Sequence, residues 1–261
     1  PPHAPTPAPT IDKTHPTHPE PDVPSAGRIP PLYEEMDKLV AKVLPAVDDK
    51  TLVLVSSDHG FAQFARQFHL NTWLRDNGYL VLKDGAEKKE ETSIFDVDWS
   101  QTVAYGVGFN GLYMNLKGRE RDGIVTPEKV EEISNRLVRE LEAVVDLETG
   151  QRPVAKVYRR EDMYTGPSTP MMPELLVGYT PGYRNASASV LGSTGKPTID
   201  LNPWAWSGDH SMARDLVPGT LLSSQKVAKG DANILDLPVS ILDFFGVEKP
   251  EQMVGSSIFR T

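Results

Sequence analysis

The amino-acid sequence predicts an α/β fold: a mostly parallel central sheet flanked by helices, with an inserted α+β lobe. Three observations carry this. Apolar residues recur at helical spacing over 32–43 and again over 127–145. Short apolar runs without alternation at 51–55, 175–179 and 219–223 read as strands covered on both faces. The first helical stretch runs almost directly into the first buried run, which is the alternation that α/β folds are made of.

Residues 1–31 hold 11 of the 23 prolines and three of the six histidines, His3, His15 and His18. Missing amide donors and fixed φ angles favour extended backbone, so this stretch reads as a proline-rich arm or linker, and no site is assigned to it. From Leu32 onward Met36, Leu39, Val40 and Val43 share one helix face, opposite Glu34, Glu35, Asp37 and Lys38, and Pro45 stops the run. The strand 51–55 comes next. A short helix is expected over 70–76, closed by Asn77-Gly78, then a strand over 79–82 ending at Lys83-Asp84-Gly85. The charged run 87–91 reads as a solvated loop. Strands over 102–107 and 111–116 are joined by a turn at Phe109-Asn110-Gly111. Val130, Ile133, Leu137, Leu141 and Val144 form one stripe of a helix over 127–145, with Thr126 as cap and Pro127 in its first turn. Strands at 175–179 and 219–223 and a core helix over 233–245, ended by Gly246, complete the pattern, and the stretch of about 86–200 forms the inserted lobe.

Composition excludes several function classes. The chain has 261 residues, 39% of them hydrophobic, which suffices for a sizeable core. With 27 Lys and Arg against 36 Asp and Glu the net charge is −9, so a phosphate-coating surface for duplex nucleic acid is not expected. No stretch approaches the ~18–20 apolar residues of a membrane span, and no leader pattern opens the sequence, so the expected location leans cytoplasmic. There is no cysteine, which restricts any metal to His, Asp and Glu ligands.

The strongest chemical signal is Ser56-Ser57-Asp58-His59-Gly60 at the carboxyl end of the strand 51–55, where open α/β sheets gather ligands. A carboxylate and an imidazole side by side on a bending chain can converge on one cation. As an isolated tripeptide, Asp-His-Gly reads more readily as an Asx turn; its place after a buried strand reverses this in favour of the metal. A second motif, Trp206-Ser207-Gly208-Asp209-His210, lies 151 residues further on. Alone, His210 reads as a solvated histidine; paired with the first motif it becomes a candidate ligand. His69 is either a substrate contact or a buried histidine at a helix start, and Asn110 either contacts a substrate oxygen or simply makes the turn. Asp209 is a candidate to orient the His210 ring, while Tyr183, Trp204 and Trp206 either stack on a ligand or pack beneath a loop.

The segments VLVSSDHGF (53–61), FHLNTWLRDNGYLVL (68–82), GFNGLYMNLKG (108–118) and SGDHSMARDLVPGTLLSS (207–224) together resemble the type I phosphodiesterase/nucleotide pyrophosphatase branch of the alkaline phosphatase superfamily. The resemblance covers about residues 32–261. It implies an alkaline phosphatase-like sheet, a small phosphoester or nucleotide substrate, and two divalent ions, most often zinc with manganese as the alternative, ~4 Å apart. Asp58 and His59 then resemble ligands of the ion that also holds the nucleophile, and His210 resembles a ligand of its companion. Phosphoryl transfer in the family runs through an ester on a Thr or Ser. The family's upstream Asp, its Thr/Ser nucleophile and the Asp/His pair completing the companion site have no counterpart here, and His15-Pro16-Thr17-His18-Pro19 resembles the family's segment just downstream of that pair. The resemblance thus implies an incomplete, C-terminal portion that assigns no catalytic nucleophile, turns over little by itself, and either pairs with an N-terminal half or self-associates. The rival expectation is a non-catalytic relative that keeps the fold for binding or assembly.

Overall fold

A computed structural model describes residues 27, 29–89, 92–194, 197–204 and 206–260. In chain order the helices and strands are α1 (Ile29–Val43), β1 (Leu54–Ser56), β2 (Ala62–Phe68), α2 (Leu70–Asp76), β3 (Ala104–Gly106), β4 (Gly111–Met114), α3 (Val130–Glu142), β5 (Val154–Arg159), α4 (Arg160–Met163), β6 (Leu175–Tyr179), β7 (Gly182–Asn185), α5 (Ser187–Val190), β8 (Ile199–Leu201), β9 (Gly208–Asp209), β10 (Leu221–Ser223) and α6 (Asp236–Phe244). Among the described residues they fall into two compact units, a larger one from 61–217 and a smaller one from the stretches flanking it. The arm expected over 1–31 lies outside the described residues up to position 26, and its last three residues already belong to α1.

In the larger unit β3, β4, β6 and β5 form one antiparallel sheet in the order β3-β4-β6-β5. A second sheet is mixed: β2 lies between β7, to which it is parallel, and the antiparallel β8, and also pairs with the short β9. Helices with mixed and antiparallel sheets are consistent with the α/β class, but the expectation of a mostly parallel sheet is corrected. Among the named strands of the described residues β2–β7 is the one parallel ladder. Tight turns explain part of the difference: Asn110, in the left-handed region at φ 58°, closes the β3–β4 hairpin, and a connection that short joins only antiparallel neighbours.

The core of this unit gathers the predicted stripes. Ile133, Leu137 and Leu141 of α3 are buried against the sheet with Leu112 and Met114 of β4 and Leu175, Val177 and Tyr179 of β6. Helix α2 occupies the predicted span 70–76 and buries Leu70, Trp73 and Leu74. Gly78, at φ 76°, ends it as Asn77-Gly78 foretells. The strand expected over 79–82 does not form. The amides of Tyr79 and Leu80 both donate to the Leu74 carbonyl at the end of α2 (2.8 and 3.2 Å), so they are unavailable to a ladder, although both side chains are buried. A buried carboxylate ties the antiparallel sheet together: Glu174 accepts from the Met114 amide (2.7 Å) and from both Arg119 (2.6 and 3.0 Å) and Arg160 (2.8 Å).

The smaller unit is built differently. No α1 side chain is buried, and its apolar stripe, Leu32, Met36, Leu39 and Val43, is exposed. Strand β1 is three residues long and, among the described residues, pairs antiparallel with β10 alone, so the expectation of a strand covered on both faces is corrected. A two-stranded ribbon supplies one ladder, and Val55 stays 40% exposed. Helix α6 begins later than expected because Asp236, turned back onto the Asn233 amide (2.8 Å) and the Ser256 amide (2.9 Å), makes 233–235 a capping turn. No helix among the described residues is long and apolar enough to cross a membrane.

Candidate functional site

The Asp58-His59 motif leaves the end of β1, and the neighbouring strand holds its approach. Ser57 donates its amide to Thr220 O (3.0 Å), and its hydroxyl accepts the Thr220 amide (2.8 Å). Gly219 is what allows the two chains to run this close, since a Cβ there would lie 2.6 Å from the Ser57 carbonyl oxygen. Beyond this clamp Asp58 Oδ1 accepts the His59 amide (3.1 Å). His59 Nδ1 lies 2.9 Å from the Gly60 carbonyl oxygen, which can only accept, so Nδ1 carries the proton. In the neutral ring Nε2 then holds the lone pair, and it sits 3.4 Å from Asp58 Oδ2. A carboxylate oxygen and an imidazole lone pair side by side, with the second ring nitrogen bonded to a carbonyl, match the way metal-ligating histidines are held. These two donors fit part of a metal site. Among the described residues no group of three His, Asp or Glu side chains converges closely enough to hold an ion.

His210 belongs to the larger unit. The strand and turn that carry it are fastened on both sides. β9 pairs with β2 through Ala62 and Asp209, and Phe64 donates its amide to Ser207 O (2.8 Å). Past His210, Met212 bridges to Tyr179 of β6, and Ala213 donates its amide to Tyr179 O (2.9 Å). The second contact is tight enough that a Cβ on Gly178 would meet the Ala213 Cα at 2.8 Å. Between these anchors His210 is exposed, while Asp209 and Ser211 on either side are buried. Its ring meets the Phe61 ring edge-on, 5.9 Å between centroids.

The expectation that Asp209 orients the His210 ring is corrected. Asp209 Oδ1 instead accepts the backbone amides of His210 (2.7 Å) and Ser211 (3.0 Å), the geometry that adjacency in sequence favours. Its Oδ2 is ion-paired with Arg184 Nε on β7 at 2.9 Å, both side chains being at least nine-tenths buried. The Arg184 guanidinium lies 4.6 Å from the Trp206 ring and 5.2 Å from that of Phe64. Burial pulls its pKa down, and the Asp209 charge opposes that shift. Asn110, at the hairpin turn, donates from Nδ2 to the Ser211 carbonyl (3.1 Å), so it supports the His210 turn by a contact with the backbone.

His69 stands at the start of α2. It is buried at the N-cap position of α2, its carbonyl accepts the Trp73 amide (3.0 Å), and its Nε2 lies 3.1 Å from Asp200 Oδ1. Tyr183 is a packing residue, buried with its hydroxyl donating to Asp146 (2.8 Å), and Trp206 covers Arg184. Sequence reasoning passes over Arg184. Its one signal is a charged residue in the short run Gly182-Tyr183-Arg184-Asn185 directly after a buried strand.

The family model for type I phosphodiesterase / nucleotide pyrophosphatase matches residues 10–196, more than half of the chain. The chain belongs to this family. No curated protein matches it. The phosphodiesterase family is one of hydrolases, and the matched span contains Asp58, His59, His69 and Asn110, whereas His210 lies beyond it.

Proposed function

We propose that this chain carries metal-holding residues of a phosphoester hydrolase acting on a small phosphodiester, pyrophosphate or nucleotide. Asp58 and His59 would ligate one divalent ion, zinc or alternatively manganese, and His210 would ligate a companion ion. A bound divalent ion would supply charge stabilisation to phosphoryl oxygens. The observation that carries the reading is the His59 ring, whose Nδ1 is engaged by the Gly60 carbonyl while Nε2 stands beside Asp58 Oδ2. Asp58 contributes negative charge and His59 a neutral nitrogen donor, a set suited to zinc.

Asp58, His59 and His210, the donors proposed among the described residues, are fewer than two ions need, since a zinc site takes about four ligands. Weak metal binding and little turnover are therefore expected of these 261 residues alone. The test is hydrolysis of bis(4-nitrophenyl) phosphate by the chain after zinc or manganese loading, beside His59→Ala and His210→Ala. Turnover close to background, together with weak zinc binding that His59→Ala abolishes, is the expected result. Vigorous turnover lost in both variants would contradict the claim of low activity and place a full site in the chain. Absence of any His59-dependent metal binding would favour a non-catalytic relative.

A further inference from the structure

We propose that Arg184 is a positioning residue for His210, acting through its buried ion pair with Asp209. The proposal rests on the reading of His210 as a metal ligand and names what holds that ligand in place. His210 is an exposed side chain that projects from the main chain of 209–211, whose neighbouring residues Asp209 and Ser211 are buried. That main chain is fixed at one point by Asp209 Oδ1, which accepts two successive amides, at 2.7 and 3.0 Å. The other carboxylate oxygen is ion-paired with Arg184, 2.9 Å from Nε, without the alignment of a hydrogen bond.

The arrangement explains why a buried arginine stands there. The guanidinium lies against one carboxylate oxygen of Asp209 while the other oxygen receives both amides, so the carboxylate is fixed from two sides. Arg184 is in turn flanked by the Phe64 and Trp206 rings, at 5.2 and 4.6 Å, and its backbone is in the β7 ladder on β2. Rings, guanidinium, carboxylate and turn form a chain of contacts from the mixed sheet to His210. Removing the guanidinium should free the turn without unmaking the sheets.

The experiment uses the full chain with Arg184→Met, Arg184→Lys and, as a control of lowered stability away from this turn, Leu137→Ala. Two quantities are read by NMR: amide hydrogen exchange at His210 and Ser211, and the zinc concentration that half-shifts the His210 imidazole. Arg184→Met is expected to speed exchange at both amides at least tenfold and to weaken zinc binding at His210 by roughly ten- to a hundredfold, the range for losing a residue that orients a ligand. Arg184→Lys should recover most of both effects, and Leu137→Ala neither produce them nor need rescue. Exchange at the two amides as slow in Arg184→Met as in the parent overturns the positioning role, whatever zinc does. Faster exchange without any zinc effect on His210 in the parent leaves the positioning intact and instead overturns the assignment of His210 as a ligand.

Discussion

Gly178→Ala tests how the segment carrying His210 is seated. The added Cβ would stand 2.8 Å from the Ala213 Cα and 2.9 Å from both the Ala213 Cβ and the Tyr158 ring. Carbon atoms rest at ~3.5–4.0 Å, so one side must move by roughly 0.7 Å or more. Neither side yields cheaply. Gly178 sits within a ladder to β5, Ala213 is bonded to Tyr179 O, and the nearest atom is backbone rather than the tip of a flexible side chain. Overpacking of this kind costs about 1–3 kcal/mol. Urea unfolding followed by circular dichroism should show a loss of that size with an unchanged slope. The double variant Gly178→Ala/Ala213→Gly should regain less than half, because the Ala213 Cα remains in the way. A loss within about 0.3 kcal/mol, the level of a neutral surface change, would refute the close approach of β6 to 212–213.

Other expectations rest on particular groups. Glu174→Ala leaves two partly buried guanidinium groups and the Met114 amide without their shared acceptor, and should cost about 3–5 kcal/mol in urea unfolding, with Glu174→Gln milder. A loss below about 1 kcal/mol would show that water replaces the carboxylate. Asp236, with Lys229 and the Asn233 and Ser256 amides around its carboxylate, has its pKa lowered to about 2. A depressed carboxylate contributes stability that is present above its unfolded pKa and is lost as pH falls through the folded one. About 2 kcal/mol should therefore disappear between roughly pH 4 and pH 2, and Asp236→Asn should remove that part of the pH slope. An unchanged slope in the variant would assign it to other carboxylates.

Legibility in the sequence tracks how local the determining interactions are. Helix α2 and its Asn77-Gly78 end, the α3 stripe and the Asn110 turn depend on neighbours within a few residues, and the structure places them where the spacing does. The run 79–82 departs from its expected strand because periodicity cannot say whether buried amides go to a ladder or, as here, to a helix end. The expected burial of β1 fails for a related reason, since an apolar pentapeptide carries no record of how many strands or layers accompany it. The candidate ligands Asp58, His59 and His210 are visible in the sequence as residue types in telling places. Arg184 is not, because its role depends on a partner 25 residues away, Asp209, and on the aromatic rings that enclose it, and no spacing rule encodes such a meeting.

The most direct test of the metal-holding role is a zinc titration of the full chain in which the His59 imidazole is monitored by NMR, with Asp58→Ala beside the parent. Zinc is predicted to shift the His59 Nε2 resonance while Nδ1 keeps its proton on the Gly60 carbonyl, and Asp58→Ala to weaken this response at least tenfold. A His59 ring indifferent to zinc, or a response that Asp58→Ala leaves unchanged, would contradict that role.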